Sequence, residues 1–203
     1  MVLYINACVR EGSRTKRLAD HLISMLKDQV REVQVWEIAF PIADDHFLQQ
    51  RDSLIAKADY SSGMFDLAKE FAAADLIVIA APFWDLSFPA ALKQYFEQIN
   101  VTGITFTYTD EGIPRGLCRA EKLNYVTTSG GPIISDEYGY GYVKALALGF
   151  YGIPQTEMWK AEGLDIVGAD VEGILREAEA RIECSLAGVS NRSGNAVGSP
   201  PTP

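Results

Sequence analysis

A short apolar run, Leu76–Ala80, set between Asp75 and Pro82, limits the folds open to this chain. A strand that is apolar at every position is buried on both faces, as in a parallel sheet covered by helices on either side. Proline has no N–H to give to a central ladder, so the strand ends at Ala81-Pro82. The loop beyond carries Phe83 and Trp84. Ser87 then reads as an N-cap and Pro89 as a first-turn residue of a helix reaching Ile99, with Leu92, Phe96 and Ile99 on its core face. Two aromatic residues therefore stand at the carboxyl end of a buried strand, where open α/β sheets bind ligands.

The same alternation repeats on both sides of this stretch. Val2–Asn6 is a first apolar strand, followed by a polar loop and an amphipathic helix over residues 15–29 with Leu18, Leu22, Met25 and Leu26 on one face. Residues 33–38 alternate like an edge strand. A polar excursion over 39–62 follows, with a short helix expected at 52–58, and a crossover helix over 63–74 leads into the central strand. Residues 103–119 read as an inserted hairpin or extended arm, in which Phe106 and Tyr108 pack either locally or across a dimer. Lys122–Thr128 is the fourth strand of the sheet. A helix over 143–150, a weak fifth strand at Gln155–Ala161 and a last helix over 170–186 complete the pattern. Strand followed by helix, repeated in this way, predicts an α/β fold with a doubly wound five-stranded parallel sheet of order 2-1-3-4-5 and a hairpin insertion. The 203 residues suit one such domain, over 1–186. From residue 187 onward Gly, Ser, Asn and Pro dominate, and a disordered tail over 187–203 is expected.

Charge and cysteine content exclude several function classes. A formal charge of -9 repels polyanions, so neither a nucleic acid nor a membrane surface is an expected partner. No apolar run reaches transmembrane length and no leader pattern opens the chain, which predicts a cytoplasmic protein. Cys8, Cys118 and Cys184 form neither a disulfide framework nor a zinc pattern and read as reduced thiols. With His21 and His46 as the only histidines, no metal site is expected.

In the predicted strand order the first, third and fourth strands lie side by side. Three loops (7–17, 81–88 and 128–142) then meet at one crevice. The first offers Ser13 and Thr15 hydroxyls at a helix start, with Arg10, Arg14, Lys16 and Arg17 adding positive charge, the form of a phosphate site. Taken alone, it is equally an ordinary N-cap beside solvated cations. There is neither a GxGxxG nor a GxxxxGK[ST] pattern, which disfavours both the dinucleotide fingerprint and the P-loop. The second loop supplies an aromatic wall. The third, Thr128-Ser129-Gly130-Gly131, either lets backbone approach a flat ligand or is a plain turn. A flat aromatic ring bearing a phosphate fits all three.

Several motifs, in their order, carry a resemblance. Pro82-Phe83-Trp84-Asp85-Leu86 precedes Leu92-Lys93-Gln94-Tyr95-Phe96. Residues 103–109 run on through Gly112 and Gly116-Leu117. Thr128-Ser129-Gly130-Gly131, Ser13-Arg14-Thr15 and Gly149-Phe-Tyr-Gly-Ile153 with Ala161-Glu-Gly163 complete the set. Over residues 1–186 the chain resembles the flavodoxin-like NAD(P)H:quinone oxidoreductase and FMN-dependent azoreductase family. The resemblance implies bound FMN and NAD(P)H as co-substrate. It further implies a homodimer with sites at the interface and a ping-pong two-electron transfer to a quinone, azo compound or similar flat acceptor. Flavin N5 carries the hydride, so no side chain is assigned as catalytic. Arg10, Ser13, Arg14, Thr15, Pro82, Phe83, Trp84, Asp85, Leu86, Thr128, Ser129, Gly130 and Gly131 are the implied cofactor-binding residues. Tyr138 and Tyr140 are the implied acceptor contacts, or else pack at the dimer contact.

This chain departs from the family pattern at Asp85, where azoreductases often carry asparagine. Its carboxylate either stands beside the ring or turns outward so that only backbone touches it. Two other readings compete. An electron carrier without nicotinamide turnover would lack the insertion at 103–119, and a flavin-free regulatory protein would bind no FMN.

Overall fold

The computed structural model describes the backbone of residues 1–193 and the side chains of residues 1–187. In chain order the elements are β1 (Val2–Asn6), α1 (Arg14–Met25), β2 (Val30–Gln34), α2 (Asp45–Ala56), α3 (Asp66–Ala73), β3 (Leu76–Ala80), α4 (Ala90–Ile99), β4 (Phe106–Tyr108), β5 (Pro114–Gly116), β6 (Lys122–Thr128), α5 (Tyr140–Leu146), β7 (Gln155–Ala161) and α6 (Val171–Ser193). Five strands form one sheet in the order β2-β1-β3-β6-β7, and every pairing is parallel. Because β4 and β5 form a separate antiparallel pair, this is the predicted 2-1-3-4-5 order with the hairpin as an insertion.

Alternation along the inner strands builds two cores. Ile77 and Ile79 of β3 join Leu3, Ile5, Phe65, Phe71, Leu92 and Phe96 on the α3–α4 face. Val78 and Ala80 join Val2, Tyr4, Leu18, Leu22, Trp159 and Ile182 on the α1–α6 face. Successive side chains of a strand point to opposite faces, so one uninterrupted apolar run serves both layers. Each Leu, Ile or Phe buried in this way contributes about 1.5–3 kcal/mol relative to exposure.

Several boundaries differ from the sequence reading. The edge strand is Val30–Gln34, because its partner β1 runs only from Val2 to Asn6 and pairs Val2 with Val30 and Asn6 with Gln34. The alternating residues after it turn into a short 3-10 segment, Val35–Glu37. In the excursion, α2 begins earlier than the expected 52–58, with Asp44 as N-cap accepting from the Phe47 N–H. Ser87 does not cap α4. That helix starts after Pro89 without a side-chain cap, while the Ser87 hydroxyl donates to the Tyr138 carbonyl oxygen at 2.6 Å. The last helix continues past Leu186 to Ser193, so the tail expected to begin at 187 starts as helix, and residues 194–203 lie outside the described residues.

Beyond α5, residues Ala147–Tyr151 form a single π turn that ends at Gly152 with φ 72°. The hairpin is seated on this turn backbone to backbone. A Cβ on Gly116 would collide with the main chain of Tyr151 and Gly152, and the Cys118 N–H donates to the Tyr151 carbonyl at 3.2 Å.

Candidate functional site

At the carboxyl edge of the sheet, the loops after β1, β3, β6 and β7 line a cavity of about 450 Å³. The positions follow from the strand order. β1, β3 and β6 are adjacent, so the chain leaving each one emerges beside the others. Backbone bonds extend the sheet into these loops: Ala7 N–H to Ala80 O (2.8 Å), Ala81 N–H to Val126 O (2.9 Å) and Phe83 N–H to Thr128 O (3.0 Å).

The first loop supplies the polar end, where Arg10, Ser13, Arg14 and Thr15 all line the cavity. Ser13 is the N-cap of α1, its Oγ accepting from the Lys16 N–H at 3.2 Å. The N–H groups of Arg14 and Thr15, in the first turn of the helix, have no intrahelical acceptor. Thr15 is buried, and its hydroxyl shares a 2.6 Å hydrogen bond with the Thr128 hydroxyl, tying the first loop to the third. Lys16 and Arg17, whose charge the sequence also offered, are taken up elsewhere. Lys16 pairs with Asp20, and Arg17 with Glu172 and Glu179. The Arg10 guanidinium carbon lies 5.7 Å from the Trp84 ring centroid, a cation–π placement, and Arg10 makes no ion pair among the described residues.

The second loop brings Pro82, Phe83 and Trp84 to the wall. Asp85 and Leu86 do not line it. Both are exposed, and both adopt positive φ, 50° and 68°. A tight backbone bridge between Trp84 and Ser87, with N–H to O distances of 3.1 and 2.8 Å, forces that turn. The third loop contributes Thr128, Ser129 and Gly130, while Gly131 lies just outside with its Ser129-bonded carbonyl. Neither tyrosine lines the cavity. The Tyr138 ring is 59% exposed. Tyr140 packs on Tyr125, ring centroids 5.9 Å apart, and its hydroxyl bonds the Thr156 hydroxyl at 3.0 Å.

Sequence reasoning did not single out Cys8, Leu164 or Asp165, which also line the cavity. Burial pushes the Cys8 thiol up to about 11, so it is a neutral thiol in contact with the first loop. Leu164 and Asp165 follow β7, whose carboxyl end reaches the same edge. Their sequence signal was only that position in the fold. Arg14 holds both, donating from Nη1 to the Leu164 carbonyl at 2.8 Å and from Nη2 to Asp165 Oδ1 at 2.7 Å.

The donor set fits a flavin mononucleotide. Free N–H groups and hydroxyls at a helix start suit a phosphate, and a half-buried tryptophan and phenylalanine suit one side of a flat ring. Among the described residues, no group of His, Cys, Asp and Glu side chains has a metal-holding arrangement, and no helix is long and apolar enough to cross a membrane.

Comparison with known proteins gives consistent results. The family model described as Flavodoxin-like fold matches residues 1–186. An FMN-dependent NADH:quinone oxidoreductase of Lachnoclostridium phytofermentans is 41% identical over 188 residues, covering 88% of this chain and 93% of that protein. The FMN-dependent NADH:quinone oxidoreductase 2 of Clostridium acetobutylicum is 40% identical over 186 residues, covering 86% of this chain and 92% of that protein. Among solved structures, the azoreductase from Bacillus anthracis str. Sterne superposes with a TM-score of 0.78 at 23% identity, covering 91% of this chain and 97% of that one. An FMN-dependent NADH-azoreductase from Bacillus anthracis str. Ames Ancestor, solved in complex with FMN, gives 0.73 at 21% identity, covering 93% of this chain and 98% of that one. At such identities the two structures speak to the fold.

Proposed function

The chain belongs to the flavodoxin-like fold family, and we propose that within it the protein is an FMN-dependent NADH:quinone oxidoreductase. The observation that carries this reading is one cavity with an anion-accepting helix start at one end and an aromatic wall at the other. Relatives of 41% and 40% identity, each matched over more than nine-tenths of its length, bear that activity in their names.

In this reading Ser13, Arg14 and Thr15 hold the FMN phosphate by hydroxyl, guanidinium and main-chain N–H groups. Phe83 and Trp84 cover the ring from the β3 side, and the backbone of residues 128–130 approaches its other edge. When bound, FMN supplies the two-electron hydride chemistry between the nicotinamide donor and the acceptor. The protein's own work is to orient the ring and exclude water. Arg10, over the Trp84 ring in the cavity lining, adds a positive charge that would favour anionic donors and acceptors. Azo compounds and NADPH belong to the wider substrate range of the proposal.

The proposal includes a homodimer. Val9, Leu86, Ile134, Tyr138, Ile166 and Val167, all from the loops at this edge, are exposed large apolar residues. Exposed apolar residues at one edge support an interaction surface there, and a second copy would close the cavity over the bound ring. Three free thiols fit a reducing compartment, the cytoplasm.

The test is a visible spectrum of protein loaded with FMN and freed of excess, before and after anaerobic NADH or NADPH. Retained flavin bands that bleach within seconds support the oxidoreductase, and the faster donor gives the preference. Bands that persist with both donors indicate a carrier reduced by a partner protein. Failure to retain FMN overturns the cofactor assignment. Elution as a monomer on size exclusion overturns the dimer.

A further inference from the structure

The cavity's polar end contains a carboxylate that a phosphate site does not need. Asp165 lies on the loop after β7, and its 2.7 Å ion pair occupies the end of the Arg14 guanidinium. The second terminal nitrogen of Arg14 is occupied by the Leu164 carbonyl. Two of the five N–H donors of the guanidinium, one on each terminal nitrogen, are thus taken within the protein, which leaves three for an incoming phosphate.

This arrangement is held from behind. Three backbone bonds fix the loop to the end of β6: Leu164 N–H to Ser129 O (3.2 Å), Asp165 N–H to Gly130 O (2.9 Å) and Gly163 N–H to Gly131 O (3.4 Å). A Cβ on Gly130 would run into the Asp165 carboxylate, so the glycine makes room for that side chain. The Asp165 side chain itself is 66% exposed, whereas its backbone is held by these bonds. An exposed carboxylate on a held loop, paired with an arginine of an anion site, is an internal competitor for that arginine.

We propose that Asp165 sets the cavity's discrimination between phosphorylated and unphosphorylated ligands. Its carboxylate holds an N–H of Arg14 that a phosphate would otherwise take, partly neutralises that guanidinium, and stays nearby as a repelling charge. The preference for FMN over riboflavin is therefore held below what Ser13, Arg14 and Thr15 alone would give. This inference rests on the reading of the cavity as the FMN site.

The experiment titrates the full-length apoprotein with FMN and with riboflavin, following flavin fluorescence, and takes the ratio of the two dissociation constants. In Asp165→Asn, which keeps the shape and removes the charge, the preference for FMN rises about twofold to fivefold. Asp165→Glu keeps the wild-type ratio. Glu11→Gln removes another carboxylate from the cavity lining and moves the ratio less than Asp165→Asn does. An unchanged or falling ratio in Asp165→Asn overturns the proposal; a fall would mean that Asp165 orients Arg14 for phosphate. An equal rise in Glu11→Gln also overturns it, since the effect would then be general charge. If no flavin binds either protein, the cofactor reading fails separately. Inorganic phosphate, followed by phosphorus NMR line broadening, then decides Asp165: tighter binding to Asp165→Asn sustains the assignment and equal binding overturns it.

Discussion

The two ends of the cavity are built differently. At the polar end, Thr15 is buried against Thr128, Ser13 caps α1, and Arg14 is bound at both terminal nitrogens. At the aromatic end, Trp84 through Ser87 form a turn stabilised by their own backbone bridge and by one side-chain bond from Ser87 to the Tyr138 carbonyl. Asp85 and Leu86 hold left-handed conformations there without being glycine. The polar end is preformed by contacts between separate segments. The aromatic end is a local loop under backbone strain. A polar end tied together between segments is thus paired with a strained turn beside the aromatic wall.

Arg14→Ala breaks this contrast most severely. It removes the clasping cation and leaves Asp165 facing the phosphate. FMN affinity should fall by about 100-fold with riboflavin affected far less, read by the same fluorescence titration. An equal loss for both flavins would place Arg14 away from the phosphate.

Thr15→Val probes the rigidity of the polar end. It conserves shape but leaves the buried Thr128 hydroxyl without its 2.6 Å partner, at a cost of about 1–3 kcal/mol. Urea unfolding gives the number, and a loss below about 0.5 kcal/mol would contradict a preformed polar end.

Leu86→Gly sharpens the comparison from the opposite end. The side chain is 54% exposed, so little burial is lost, while the left-handed φ is relieved. Stability should rise by about 1 kcal/mol. A lower thermal midpoint would show that the turn is not strained at that residue.

The smallest effect is kinetic. With the Cys8 thiol raised to about 11 by burial, less thiolate exists at neutral pH than for an exposed cysteine. Iodoacetamide at pH 7 should modify exposed Cys184 first, with Cys8 labelling climbing as pH rises toward its own value. Peptide mass spectrometry that finds Cys8 labelled as fast as Cys184 would show that the first loop opens.

Much of this architecture was legible because burial leaves a pattern. The run Leu76–Ala80 read correctly as an inner strand because both its faces are filled, and strand adjacency then brought three loops together. The excursion helix α2 was read only in its second half, at 52–58, because none of its residues is buried, so it has no apolar period to mark its start. Ser87 was misassigned since N-cap chemistry and a bond to a distant carbonyl use the same hydroxyl. Asp165 could not be paired with Arg14 from sequence, since ion pairs between remote segments have no period. Tyr138 and Tyr140, drawn by their glycine-spaced setting, both lie off the cavity lining, one exposed and one partly buried against the core.

The contact between Gly116 and Gly152 has a consequence for building chimaeras. Two main chains meet there with no side chain between them, so neither partner is an independent module. A hairpin grafted from another protein should seat only if the donor brings a glycine at the touching position and the host keeps its π turn. Lengthening or trimming either loop alone should unseat the other, and exchanges that respect the seam should move residues 103–119 and 147–153 as one cassette.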